Sequence, residues 1–470
     1  MKNFILTISF IVIGFTSLNA AVRLPNIIGS HMVLQQKSTV KIWGWAAPDE
    51  KIKIKTSWDT TTYIATTNNS AKWLTSIKTP TAGGPYQITI SASNTILLED
   101  VLIGEVWVCG GQSNMEWSGD QGLKESLDEM PNASNPSIRF FYVAKSTSNY
   151  PQDNLDGKWM VCSPEEMKHF STIGYFFGKN LHQKLNSPIG LINSNWGGTA
   201  AETWTPAYII NNDPIIKKGA DSISETPWWP HKTASAYNAM IYPLTNYSIG
   251  GVIWYQGESN TKTYFTYEKL FTNMINAWRH DWDQMFPFYF VQIAPFAYGD
   301  KNIGALLREA QTKAASYNNT GMVVISDLVP DTNDIHPTLK VEVANRLSNL
   351  ALNQSYGHTT IACQSPTYLS HTIEKDKIQI RFNNANNGLK ATEENISCFE
   401  IASEDKIFYP AQVKINNNTV LVFNKNVKNP VAVRFAFNNT ATPHLFNKEG
   451  LPVNLFRTDD WELDTSAIKK

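Results

Sequence analysis

Four short segments in the middle of the chain carry residues suited to acyl transfer. The first, VLIGEVWVCGGQSNMEW over residues 101–117, is an apolar run that breaks at Gly110-Gly111 and delivers Ser113. Two glycines relax the backbone limits at such a turn, so the chain can swing a small polar residue out of a strand. That is what a strand-to-turn nucleophile requires. A serine hydroxyl attacks poorly near neutral pH unless a base takes its proton. The base is expected in the last segment, MVVISDLVPDTNDIHP, which presents Asp327, Asp331, Asp334 and His336. His336 titrates nearest the working range, and an adjacent carboxylate would hold the tautomer of its ring. Between these lie GLINSNWGGTAAETW, with Gly197 and Gly198, and GVIWYQGESN, with Gln256, Glu258 and Asn260. Glycine-flanked N–H groups and a side-chain amide are the donors a developing alkoxide needs. Any one of these segments also reads as an ordinary strand end or turn, since Gly, Ser and Asn dominate turns. Together they supply a hydroxyl, a base, an acid and oxyanion donors.

The elements that must position them follow from the hydrophobic pattern. From about residue 99 to 352, apolar strands such as VWVCGG, GVIWYQGES, PFYFVQIAP and MVVISDLV alternate with stretches of helical spacing such as HFSTIGYFFGKNLHQKL and YEKLFTNMINAWRHDW. That rhythm predicts βαβ units on a mostly parallel sheet, where ligands bind at the carboxyl ends of the strands. Residues 22–98 read as short strands punctuated by turn residues, a small antiparallel sandwich. Residues 353–470 return to short strands (KIQIRF, CFEIAS, TVLVFN, VAVRFAF), a second β-rich domain whose tail packs back.

Composition narrows the function classes. Lys and Arg number 40 against 41 Asp and Glu, with no long run of either sign. That does not support a nucleic-acid partner. Residues 1–21 place one lysine before an apolar run ending in Asn19-Ala20-Ala21, which predicts a secretory signal peptide and a periplasmic or extracellular protein. No later segment is long and apolar enough to predict a membrane span. The four cysteines fit neither a disulfide scaffold nor a zinc motif; Cys363 and Cys398 could pair in an oxidising compartment, and Cys109 reads as a buried hydrophobe. The nine histidines form no metal-ligand spacing, so neither metal nor other cofactor is expected. Most of the 15 Trp lie between Trp107 and Trp282. Trp117, Trp204, Trp228 and Trp229 could form a rim on which a sugar stacks, and Trp196 is a further candidate for substrate binding.

GQSNM, NWGGT, WYQGESN and NDIHP, in this order, resemble the sialate O-acetylesterase family within the SGNH-type hydrolases. MVLQQKSTVKIWGWA, AGGPYQITI and GLPVNLFRTDDW extend the resemblance over nearly the whole chain after residue 21. It implies a three-layer α/β/α hydrolase domain flanked by β-rich, sandwich-like regions. It implies removal of O-acetyl groups from sialic acid through a Ser113–His336 pair. Deacetylation of a plant polysaccharide such as xylan is the alternative, and a non-catalytic carbohydrate-binding protein a further one. Ser113 matches the nucleophile and His336 the base. Gly198, with Gly197 as runner-up, matches the oxyanion glycine, where the Ser113 N–H also belongs. Gln256 stands where many SGNH enzymes carry an asparagine donor. Asp334 sits two residues before His336, as in the pattern DIHP, while the broader group's position, three before, holds Asn333; Asp331 is the other candidate acid. Glu258 and Asn260 are expected at the substrate. Arg279 and Arg308 are candidates for a sialic acid carboxylate, since Arg binds carboxylates bidentately. Tyr237, Asn238 and Tyr242 lie in a further family-like stretch expected near the cleft.

Overall fold

A computed structural model describes residues 21–394 and 396–468, so the expected signal segment lies almost wholly outside the described residues. The core of the molecule is a seven-stranded run of sheet: β1 (Thr95–Gly111), β2 (Asn135–Val143), β3 (Gly157–Cys162), β4 (Ile189–Asn195), β5 (Gly251–Tyr255), β6 (Phe288–Val291) and β7 (Thr320–Val323). Their order is β7-β6-β5-β1-β4-β2-β3, parallel throughout except for β3 against β2. Both faces are covered by helices, which is why these strands are apolar runs without alternation. Along β1, Val106 and Val108 enter one core, while Trp107 and Cys109 enter the other. The first core holds Phe271, Met274 and Trp278 of α2 (Tyr264–Trp282), which packs beside α3 (Ile303–Ala314). The second holds Ile173, Phe177 and Leu181 of α1 (Thr172–Leu185) and Val343, Leu347 and Leu350 of α4 (Lys340–Gln354). The result is the three-layer α/β/α arrangement.

The N-terminal β region does not hang from a linker. β1 is 17 residues long, and its first half pairs with Gly83–Ser91 before its second half enters the central sheet. The boundary expected at 98/99 therefore falls inside one continuous strand. Thr39–Trp45 pairs with Lys72–Lys78 as a second small sheet, and Ile42, Ile77, Ile52, Ile54, Ile88 and Ile90 share one core. The C-terminal strands form two four-stranded sheets and one pair around a separate core that includes Ile380, Val422, Val433 and Phe435. Arg457 ties this region to α3 through Glu309 at 2.8 and 3.0 Å. Cys363 and Cys398 are free thiols, so the pairing considered for them is not formed. Among the described residues, no helix is long and apolar enough to cross a membrane.

Candidate active site

The glycine hinge has a physical explanation in the strand register. Gly111 is flanked by Asn195 of β4 and Tyr255 of β5. It has φ +131°, and a Cβ there would stand 2.1 Å from the Tyr255 carbonyl oxygen. Only glycine lets the three strand ends approach so closely and turn. The segments that follow β1, β4 and β5 therefore emerge side by side. After β1 the chain makes a single helical turn, Ser113–Glu116, anchored by Ser171, the N-cap of α1, whose hydroxyl donates to the Met115 carbonyl at 2.5 Å.

His336 arrives from the loop between β7 and α4 and places Nε2 2.9 Å from Ser113 Oγ. Its ring is stacked on Trp117, with centroids 4.1 Å apart and planes 21° apart. Burial, reinforced by the charge of Lys340, holds its pKa below the ordinary 6.5, while Asp334 and Glu116 pull the other way. A neutral imidazole is the form that can accept the serine proton. The two groups open onto a cleft of about 480 Å³, lined also by Gln112, Glu116, Lys145, Trp196, Gly197, Gly198, Trp228, Trp229 and Glu258. Trp228 is 78 % exposed, so an aromatic face stands free at the rim.

The two glycines after β4 are not equivalent. The Gly197 N–H is already used, donating to Glu116 Oε2 at 2.5 Å, while Glu116 Oε1 takes Lys145 Nζ at 2.5 Å. Gly198 has φ +78°, its carbonyl accepts from Ser259 Oγ at 2.9 Å, and its N–H has no acceptor among the described residues. The geometry therefore favours Gly198 over Gly197 as an anion donor at the cleft.

Several expectations are corrected by the packing. Gln256 is fully buried; its Nε2 donates to Thr199 O at 3.2 Å and Asn260 Oδ1 at 2.7 Å, and its Oε1 accepts from Tyr267. That amide is committed beneath the cleft and does not line it. Asn260 is spent in the same network, accepting from Ala201 N and donating to Glu202 and Thr263. Arg279 is buried against the Phe286, Asn318 and Asn319 carbonyls, and Arg308 against those of Gly304 and Asn438. Neither faces the cleft, because each guanidinium is spent on buried backbone carbonyls. Trp204 is core, with its N–H on Thr199 Oγ1. Tyr237 bonds Asp281, Asn238 bonds the Ser148 carbonyl, and Tyr242 lines a different depression beside His280 and Asp281.

The acid departs from expectation too. Asp334 Oδ1 accepts the His336 backbone N–H at 2.8 Å but stands 3.9 Å from Nδ1, beyond hydrogen-bond reach. With only Ile335 between them, the carboxylate turns back on the backbone instead of reaching the ring. Asp331 is occupied by Asn333 at 2.9 and 3.0 Å, and Asp327 by Arg346 at 2.7 and 2.6 Å.

Two cleft residues escaped sequence reasoning, one inside a motif and one outside them all. Gln112, in GQSNM, has its Oε1 held by the N–H groups of Gly257 at 3.3 Å and Ser259 at 3.4 Å. Its Nε2 has no acceptor among the described residues, which leaves an amide donor at the cleft next to Ser113. Lys145 has no motif around it, and only the fold brings it over Trp196, 5.8 Å from the ring centroid.

Residues 103–353 match the family model described as carbohydrate esterase, sialic acid-specific acetylesterase. The chain is 30 % identical over 386 residues to the sialate O-acetylesterase of Homo sapiens, covering 73 % of each chain, and 28 % identical over 409 residues to that of Mus musculus, covering 73 % of this chain and 75 % of the other. A solved structure, a carbohydrate acetylesterase from Xanthomonas citri, superposes with a TM-score of 0.85 at 32 % identity, over 94 % of this chain and all of that one.

Proposed function

The chain belongs to the sialic acid-specific acetylesterase family of carbohydrate esterases, and on that premise we propose that it is an exported serine esterase that removes O-acetyl groups from sialic acids. It is a carboxylic ester hydrolase of O-acetylated sugars. The observation that carries the mechanism is the 2.9 Å contact between Ser113 Oγ and His336 Nε2 at the floor of an open cleft. His336 takes the serine proton as Oγ attacks the acetyl carbonyl. The oxyanion is held by the Ser113 and Gly198 N–H groups, with the Gln112 amide as the side-chain donor. Collapse expels the sugar hydroxyl, protonated by His336, and leaves acetyl-Ser113. A water deprotonated by His336 then releases acetate. Export rests on the charge and hydrophobic pattern of residues 1–21.

The test is acetate release from O-acetylated sialic acid by the wild type and Ser113→Ala. Loss of all but background rate is expected, and equal rates would refute the reading. One observation favours a second reading, deacetylation of a neutral polysaccharide such as acetylated xylan. The cleft's lysine, Lys145, is already paired with Glu116, and Arg279 and Arg308 are buried elsewhere. A sialic acid carboxylate would have to compete with Glu116 for that cation, whereas a neutral sugar would not. Parallel assays on acetylated sialic acid and acetylated xylan separate the two.

A further inference from the structure

Asn114, immediately after the nucleophile, is 1 % exposed and spends its whole side-chain amide in the protein. Its Nδ2 donates to Glu258 Oε1 at 2.5 Å and to the Ile335 carbonyl at 3.0 Å, and its Oδ1 accepts from Lys340 Nζ at 2.5 Å. One amide thus joins three segments: the nucleophile turn after β1, the turn after β5, and the base loop, where Ile335 precedes His336. Lys340, the first residue of α4, is itself 1 % exposed, with its ammonium 5.5 Å from the centroid of the Tyr255 ring. Burying an ammonium costs several kcal/mol before any partner offsets it, roughly as for other buried ions. A neutral side chain could donate the same hydrogen bond, so the charge adds something the bond alone does not.

We propose that Lys340 is a positioning residue of the esterase site: through Asn114 it holds the base loop on the nucleophile turn, and its buried charge favours the neutral imidazole of His336. The inference rests on the Ser113–His336 reading. The charged groups around the pair are few. Lys340 is faced by Glu258 from the turn after β5, by Asp334 from the base loop and by Glu125 from the helix Lys124–Glu129. His336 is faced by Lys340, by Asp334 and by Glu116 of the nucleophile turn. Burial pushes the Lys340 ammonium down to about 7, with Glu258 opposing. Below that pH, where His336 titrates, Lys340 carries its proton, so its charge is present across the whole acid limb. Burial likewise raises the pKa of Glu258, whose Oε2 has no hydrogen-bond partner among the described residues.

Two variants separate the bond from the charge. Lys340→Gln keeps a donor and removes the charge; Lys340→Met removes both. The imidazole titration of His336 is followed by NMR of its Cε1 signal, assigned by its absence in His336→Asn, and kcat and KM are measured on 4-nitrophenyl acetate. In both variants the His336 midpoint should rise by roughly half to one pH unit, the scale of one nearby charge. Lys340→Met should also lose about tenfold in kcat with KM nearly unchanged, as expected for lost orientation of reacting groups. An unmoved imidazole titration in folded Lys340→Gln overturns the proposal, and that variant decides alone if Lys340→Met fails to fold. The titrations are repeated in the Ser113→Ala background. There they stand or fall without activity, so failure of the esterase reading cannot be mistaken for failure of this one.

Discussion

Replacing Asp334 by Asn measures how much the carboxylate contributes from where it stands. In a serine triad the acid bonds the imidazole, and its amide costs on the order of 10⁴ in turnover because the wrong tautomer is held. Here Asp334 Oδ1 is 3.9 Å from His336 Nδ1 and bonded instead to the His336 backbone N–H. Its effect on the ring is then through-space. Two unit charges about 4 Å apart interact by about 1 kcal/mol in water and about 4 kcal/mol near a protein surface. The Asp334 side chain is 50 % exposed, which places the interaction at the lower end. About 1 kcal/mol on the imidazolium formed in the transition state is about fivefold in rate. Asn retains an oxygen for the 2.8 Å bond to the backbone, so the loop should keep its shape. Asp334→Asn should therefore lower kcat/KM for 4-nitrophenyl acetate at neutral pH by about five- to tenfold. Asp331→Asn, whose carboxylate serves only Asn333, should match the wild type. A loss of 10³ or more in folded Asp334→Asn, on the scale of a true triad, would refute the reasoning. It would mean that the loop rearranges to bring the carboxylate onto Nδ1.

Gly198→Ala is expected to keep the protein folded but nearly inactive. A Cβ at φ +78° would stand 2.2 Å from the Trp229 ring, so the turn must shift and carry its N–H away from the cleft. The loss in kcat should be on the order of 10²–10³, the scale of one oxyanion donor; acetate release reads it, and a wild-type rate would remove Gly198 from the oxyanion site. The pH profile offers a further check. Because His336 is held below its ordinary 6.5 and must be neutral to act, activity should be full above that value and fall as pH drops through a lower midpoint. An acid limb centred above 6.5 in kcat/KM would contradict the burial and the Lys340 charge assigned to the ring.

Much of this molecule was legible from its sequence because the signals are local. A strand that breaks on two glycines before a serine needs no partner to be recognised, and apolar runs alternating with helical spacing require helices on both faces of a parallel sheet. The Ser113 turn and the His336 loop that meets it could be read in this way, and so could the two β-rich regions. The failures share one cause. Gln256, Asn260, Arg279 and Arg308 carry the right chemistry in or near the right segments, yet which acceptor each side chain meets is set by elements distant in sequence. The same holds for Asp334: two residues of spacing permit either the ring or the backbone, and only the path of the loop chooses the backbone. Gly197 and Gly198 are indistinguishable as letters until Glu116, 81 residues earlier, takes one N–H and leaves the other. Lys340 and Lys145 had no motif to announce them; the fold alone buries one beneath Asn114 and holds the other at the cleft beside Glu116. Sequence determined which residues could react, since reactivity belongs to the side chain and its turn. Tertiary structure decided which polar groups remain free to meet a substrate, since that depends on which partners have already satisfied them.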